Sequence, residues 1–86
     1  MSNKAYKGIS GSIRRDILGK LAGKSMTVNS IAKGFSISRE AVSRHLKVLR
    51  DSGLVRTKKV GRECYCSLIP DGLVSIEKWI HKTVNP

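Results

Sequence analysis

Apolar side chains recur along this chain with two different periods. From Ile9 to Leu21 they fall at Ile13, Ile17, Leu18 and Leu21. Steps of four, one and three keep such residues on one face of an α-helix, so a helix is predicted over this segment. Ser10 or Ser12 is placed to cap its start and Gly23 to end it, with Arg14, Arg15 and Lys20 on the wet side. A shorter stripe of Val28, Ile31, Ala32 and Phe35 follows Thr27, a good N-cap, and leaves through Gly34. After a turn at Ser36-Ile37, Ser38 caps the most regular helix of the chain, with Glu40 near the positive end of its dipole. Its apolar positions are Ala41, Val42, Leu46 and Leu49, with His45 among them. Asp51-Ser52-Gly53 stops it, Gly53 being the expected left-handed residue.

From Leu54 to Leu68 the period becomes two. Residues 54–60 and 63–68 read as strands, and Gly61-Arg62 between them as a tight hairpin turn. A lone hairpin is not stable, so this one must pack on the helices. Pro70-Asp71-Gly72 reads as a break. Leu73, Ile76, Ile80 and Val84, with Trp79 beside them, read as a last amphipathic helix. The fold class is therefore mainly α with a small β-hairpin, in the order helix, helix, helix, strand, strand, helix. The second and third helices form a helix-turn-helix and the hairpin a wing, so residues 1–86 are read as one winged helix-turn-helix domain.

Charge adds a partner to this picture. Seventeen Lys and Arg stand against six Asp and Glu, a net +11 over 86 residues. Such a balance says nothing about fold but predicts a polyanionic partner. Residues 1–37 carry seven basic and one acidic side chain, residues 38–62 eight and two, and residues 63–86 two and three. The near-neutral end is expected to face protein. A core this small is marginal alone, and a symmetric partner would cover more apolar surface. Ile76, Trp79, Ile80 and Val84 of the last helix, joined by Tyr6 and Ile9 near the N-terminus, are the expected dimer interface. No apolar run approaches the roughly 20 residues needed to span a bilayer. The first residues have charge but no apolar core of a signal peptide, so a cytoplasmic protein is expected.

Duplex DNA is the polyanion the third helix suits. Its polar face carries Ser38, Arg39, Glu40, Ser43, Arg44, Lys47 and Arg50. Arginine can fork onto guanine O6 and N7, and Glu can accept from cytosine N4. Arg39 and Glu40, in the first turn, are expected at bases. Ser43 is small enough for close approach, and Arg44 suits a base or a phosphate. Lys47 and Arg50 suit the backbone, adding affinity and salt dependence. Charged helix faces are usually only solvated. Here the basic residues continue into the wing at Arg56, Lys58, Lys59 and Arg62, and Arg62 at the tip suits a minor groove. His45, between Val42 and Leu46, reads as a satisfied core histidine.

Cys64 and Cys66 lie two apart on a strand, so they share a face with Tyr65 opposite. Their parallel side chains suit a disulfide poorly. They read first as small buried apolar groups. The alternative is a metal- or thiol-responsive site, for which His81, Asp71 and Glu77 are the other downstream donors. No nucleophile–base–acid set or phosphate loop is visible, so neither an enzyme nor a cofactor is expected. A further alternative is a winged helix serving only as a protein-interaction module.

Three stretches carry a family resemblance: residues 9–18, 38–55 and 61–68, that is ISGSIRRDIL, SREAVSRHLKVLRDSGLV and GRECYCSL. Through them the chain resembles the ArsR family of winged-helix repressors, over residues 6–80, most specifically at Val42–Val55. The resemblance implies a homodimer formed by the first and last helices. It also implies a palindromic operator, and repression until a signal, an inducer protein or small molecule, releases it. It places Arg39, Glu40, Ser43 and Arg44 at bases. Family members that sense metal carry cysteines in the first helix of the helix-turn-helix, whereas Val28-Asn29-Ser30-Ile31-Ala32 has none. Members that sense zinc through the last helix use paired Asp and His, whereas this helix has only His81. The chain thus resembles the short branch without the usual metal sites.

Overall fold

The computed structural model describes residues 3–86. Five helices and three strands follow in the order α1 (Asn3–Ile9), α2 (Ser12–Lys20), β1 (Met26–Thr27), α3 (Val28–Lys33), α4 (Arg39–Asp51), β2 (Val55–Val60), β3 (Glu63–Leu68) and α5 (Pro70–Val84).

The first predicted helix is two helices. Ile9 ends α1 instead of opening α2, because Gly11 takes an extended conformation at the N-cap of α2 (φ −105°, ψ 137°). Neither serine caps α2: the Ser10 hydroxyl turns back to donate to the Lys7 carbonyl at 2.8 Å. Two guanidinium groups close the end of α1. Arg14 Nε donates to the Gly8 carbonyl (3.0 Å) and its Nη2 to the Lys7 carbonyl (3.1 Å), while Arg15 Nη1 donates to the Ile9 carbonyl (2.7 Å). The last carbonyls of a helix have no partner within it, so these bonds tie α1 firmly to the next helix.

The caps of the next two helices follow the sequence. Thr27 Oγ1 accepts from the Ser30 amide at 3.1 Å, and Ser38 Oγ from the Ala41 amide at 3.1 Å. The end of α4 is a Schellman turn: the Leu54 amide reaches the Leu49 carbonyl (3.0 Å) and the Gly53 amide the Arg50 carbonyl (3.0 Å), with Gly53 at φ +75°. Leu54, thus aimed inward, is fully buried. A Cβ on Gly8 would lie 2.5 Å from one Leu54 methyl and a Cβ on Gly72 2.6 Å from the other. Two glycines therefore let α1 and α5 close on the same leucine.

The sheet has three strands rather than two, in the antiparallel order β1-β3-β2. Met26 pairs with Cys66 and Thr27 with Tyr65, so the chain makes a short strand just before it turns into α3. In the hairpin Lys58 pairs with Tyr65 and Val60 with Glu63, and the turn between them rests on Gly61 at φ +62°. Pro70-Asp71-Gly72 is no break: it forms the first turn of α5, with Pro at the position where a missing amide is harmless.

Ile17, Leu18, Leu21, Ile31, Val42, Leu46, Leu49, Leu54, Val55 and Cys66 form one core, joined by Ala5 of α1 and Ile76 of α5. Ile76 is only 5% exposed, because the Leu73–Ile76 half of the α5 stripe packs on the chain's own body. Its expected place on the dimer face is corrected to the core. Among the described residues, no helix is long and apolar enough to cross a membrane.

Candidate nucleic-acid interface

Helix α4 is bound to the body by one side only. Val42, Leu46 and Leu49 are buried, while Arg39, Glu40, Arg44, Lys47 and Arg50 are exposed and Ser43 is half-buried. Positions 39, 43, 47 and 50 succeed one another at helical spacing, and 40, 44 and 47 do so beside them. The exposed face is thus a broad, mostly cationic ridge that begins at the capped first turn. Among the described residues, Arg39, Arg44, Lys47 and Arg50 all remain exposed.

The two flanks of that ridge differ. Ser43 and Arg50 turn toward the hairpin, where they line a cavity of about 140 Å³ with Val28, Leu46, Thr57, Cys64 and Cys66. The cavity shows which face of the hairpin looks at α4. Strand register puts Val55, Thr57, Lys59, Cys64, Cys66 and Leu68 on that face and Arg56, Lys58, Tyr65 and Ser67 on the other. Lys59 therefore lies on the hairpin face that looks at α4, while Arg62 stands exposed in the turn at the tip. Arg56 and Lys58 are exposed but point from the opposite face.

Asn29 has no place in the sequence-based set, yet it touches the ridge. Arg39 Nε donates to Asn29 Oδ1 at 2.6 Å, from the first turn of α4 to the first turn of α3. The signal was invisible in the sequence because ten residues and a turn separate the pair.

The cysteines share one face of β3. Cys66 is fully buried and Cys64 half-buried, both as free thiols, with Tyr65 outside. Burial pushes the Cys66 thiol from its ordinary value of 9.0 up to about 11; Cys64 adds to the rise and the Arg50 guanidinium opposes it. A thiol held protonated is a weak nucleophile and a weak ligand. Among the described residues, no three His, Cys, Asp or Glu side chains converge as a metal site. His45 is half-buried and bonded to Arg14.

Helices α1 and α5 pack together. The rings of Tyr6 and Trp79 meet edge to face, 5.8 Å between centroids and 85° between planes. Past this contact, Ile80 is 48% and Val84 70% exposed, continuing the stripe that Leu73 and Ile76 begin inside the core. Ile9 is half-buried against the core.

Comparison with known proteins agrees with this fold. Residues 11–57, more than half of the chain, match the family model described as bacterial regulatory protein, arsR family. The chain is 34% identical over 83 residues to the transcriptional repressor SdpR of Bacillus subtilis (strain 168), covering 96% of this chain and 92% of that protein. It superposes on a crystal structure of an ArsR family transcriptional regulator with a TM-score of 0.86 and 30% identity, covering 94% of this chain and 84% of that one. The fold also matches a homodimeric winged helix-turn-helix DNA-binding domain from Mycobacterium bovis, at a TM-score of 0.77 and 20% identity, over 96% of this chain and 77% of that one.

Proposed function

We propose a mechanism from one premise: this chain belongs to the arsR family of bacterial regulatory proteins, and is a transcriptional regulator. It acts as a homodimeric repressor that reads a pseudo-palindromic operator in the cytoplasm, and its work is binding, not catalysis. The observation that carries this reading is the one-sided anchoring of α4. Val42, Leu46 and Leu49 hold the helix, and its cationic ridge is left free to enter a major groove about 12 Å wide.

Each residue has a role. Arg39 and Glu40 reach base edges from the first turn, Ser43 allows close approach, and Arg44 reads a base or the adjoining phosphate. Lys47 and Arg50 bind backbone, and Ser38 holds the turn that presents Arg39. Lys59 and Arg62 follow the groove edge from the wing, while Arg56 and Lys58 add positive field from its other face. Two copies joined through Tyr6, Ile9, Trp79, Ile80 and Val84 set their α4 helices about one turn of DNA apart, roughly 34 Å. The dimeric Mycobacterium bovis domain supports this arrangement. Occupied, the operator excludes polymerase until an inducer, a protein or a small molecule, releases the dimer.

Selection of bound duplexes from a random pool, at stated salt, tests the reading. A two-fold symmetric consensus is the expected result. Sequence-blind binding at every salt concentration overturns it.

A further inference from the structure

The bond between Arg39 and Asn29 joins two helices at their first turns, and both turns are fixed. Thr27 caps α3: its Oγ1 accepts from the Ser30 amide (3.1 Å) and donates to Ser30 Oγ (2.9 Å). Ser38 caps α4 through the Ala41 amide (3.1 Å). Buried Ile31 of α3 and Val42 of α4 belong to one core. The backbones beneath Asn29 and Arg39 are thus held by caps and by packing, so the 2.6 Å bond spans two anchored points. Both side chains are themselves exposed.

The chemistry of the pair is selective. A guanidinium has five N–H donors in a rigid fork. With Nε given to Asn29, the four N–H groups on Nη1 and Nη2 remain, and these form the end that can fork onto guanine O6 and N7. A free arginine at the surface must give up most of its rotamers to make that contact. A held one has lost part of that freedom before the duplex arrives. The acceptor is also neutral. A carboxylate at position 29 would hold the guanidinium more strongly but cancel the charge that DNA attracts.

We propose that Asn29 is a specificity-determining positioning residue, which aims the Arg39 guanidinium at a single guanine of each half-site. The proposal rests on the DNA-reading role given to α4 above. Asn29 need not touch a base, and its remaining amide N–H groups suit a phosphate oxygen.

Duplex selection with the full chain and three variants tests it. Arg39→Ala abolishes the guanine preference at one position of each half-site. Asn29→Ala relaxes the preference at that same position by about three- to tenfold, the range for leaving one arginine unordered before binding. The double variant is no worse there than Arg39→Ala alone, since the two act as one unit. Asn29→Asp, which keeps the acceptor, retains the guanine preference and weakens binding to every duplex alike. An unchanged preference in Asn29→Ala, or a change at some other position, overturns the proposal while leaving the DNA-reading role of α4 intact. A native protein that selects no consensus, or an Arg39→Ala variant with an unaltered one, overturns the role of Arg39 and the proposal with it. Both residues are exposed, so thermal midpoints of the variants should match the native one, and a large drop assigns the bond to folding instead.

Discussion

The guanidinium of Arg14 reaches from α2 to the ring of His45 on α4, Nη1 to Nδ1, at 3.3 Å. A guanidinium only donates, so Nδ1 accepts. The same side chain also binds the Lys7 and Gly8 carbonyls and the Ser10 hydroxyl (3.0 Å). One residue thus links the end of α1, the α1–α2 break and the recognition helix. Arg14→Ala removes all four bonds and leaves the Gly8 carbonyl without its side-chain partner, with only Arg15 and Ser10 still closing the α1 terminus, which should lower unfolding free energy by about 2 kcal/mol. His45→Phe removes one bond and should lower it by about 1 kcal/mol or less. Urea unfolding midpoints of the two variants and their double check this, and the double should be less destabilised than the sum.

The cations of the interface should separate into two kinds. Arg44→Ala should weaken operator binding more than binding to random DNA, by about 1–3 kcal/mol if it forks onto a base. Lys59→Ala should weaken both equally and reduce the salt slope by about one. Lys58→Ala, on the opposite face of the hairpin, should reduce it less. Fluorescence titrations over a range of salt distinguish these outcomes. Equal loss on both duplexes for Arg44→Ala removes its assigned base contact.

The apolar end of α5 should carry association. Ile80 and Val84 are exposed beyond the Tyr6–Trp79 contact. A charge placed there would be buried in a dimer without a partner, so Ile80→Asp and Val84→Asp should yield folded monomers with poor operator affinity. Sedimentation equilibrium reads the mass, and circular dichroism reads the fold. Dimers that survive both substitutions place the interface elsewhere.

Alkaline stability should depend on one thiol. Cys66 loses its proton near 9.0 when the chain is unfolded and near 11 when it is folded. Between those values the folded state holds more protons, so stability is full below pH 9 and falls as pH rises toward 11. The loss should be on the order of 2 kcal/mol. Cys66→Ala begins less stable, because it leaves a small void, but should show a shallower alkaline decline than the native chain. Unfolding midpoints at pH 8 and pH 10.5 make the comparison.

The legible parts of this protein were those governed by neighbours along the chain. Thr27, Ser38 and Gly53 act through backbone groups one to five residues away, so the limits of α3 and α4 followed from local chemistry. The alternation in residues 54–68 and the turn at Gly61 settled the hairpin in the same way. The α1 helix escaped because seven residues with Lys4 and Lys7 among them show too little of a stripe, and its end is closed by side chains of the following helix. Strand β1 escaped because two residues have no period, and only β3, forty residues on, makes them a strand.

The helix-turn-helix, the wing and the excess of positive charge were already legible along the chain. Those follow from short-range periodicity, capping and composition. The tertiary structure decided which candidates stand together. Ile76 went to the core, Arg56 and Lys58 went to the far face of the hairpin, and Asn29 came to hold Arg39. The reason is physical: packing and strand register bring together groups distant along the chain, and no local pattern records the distance between them.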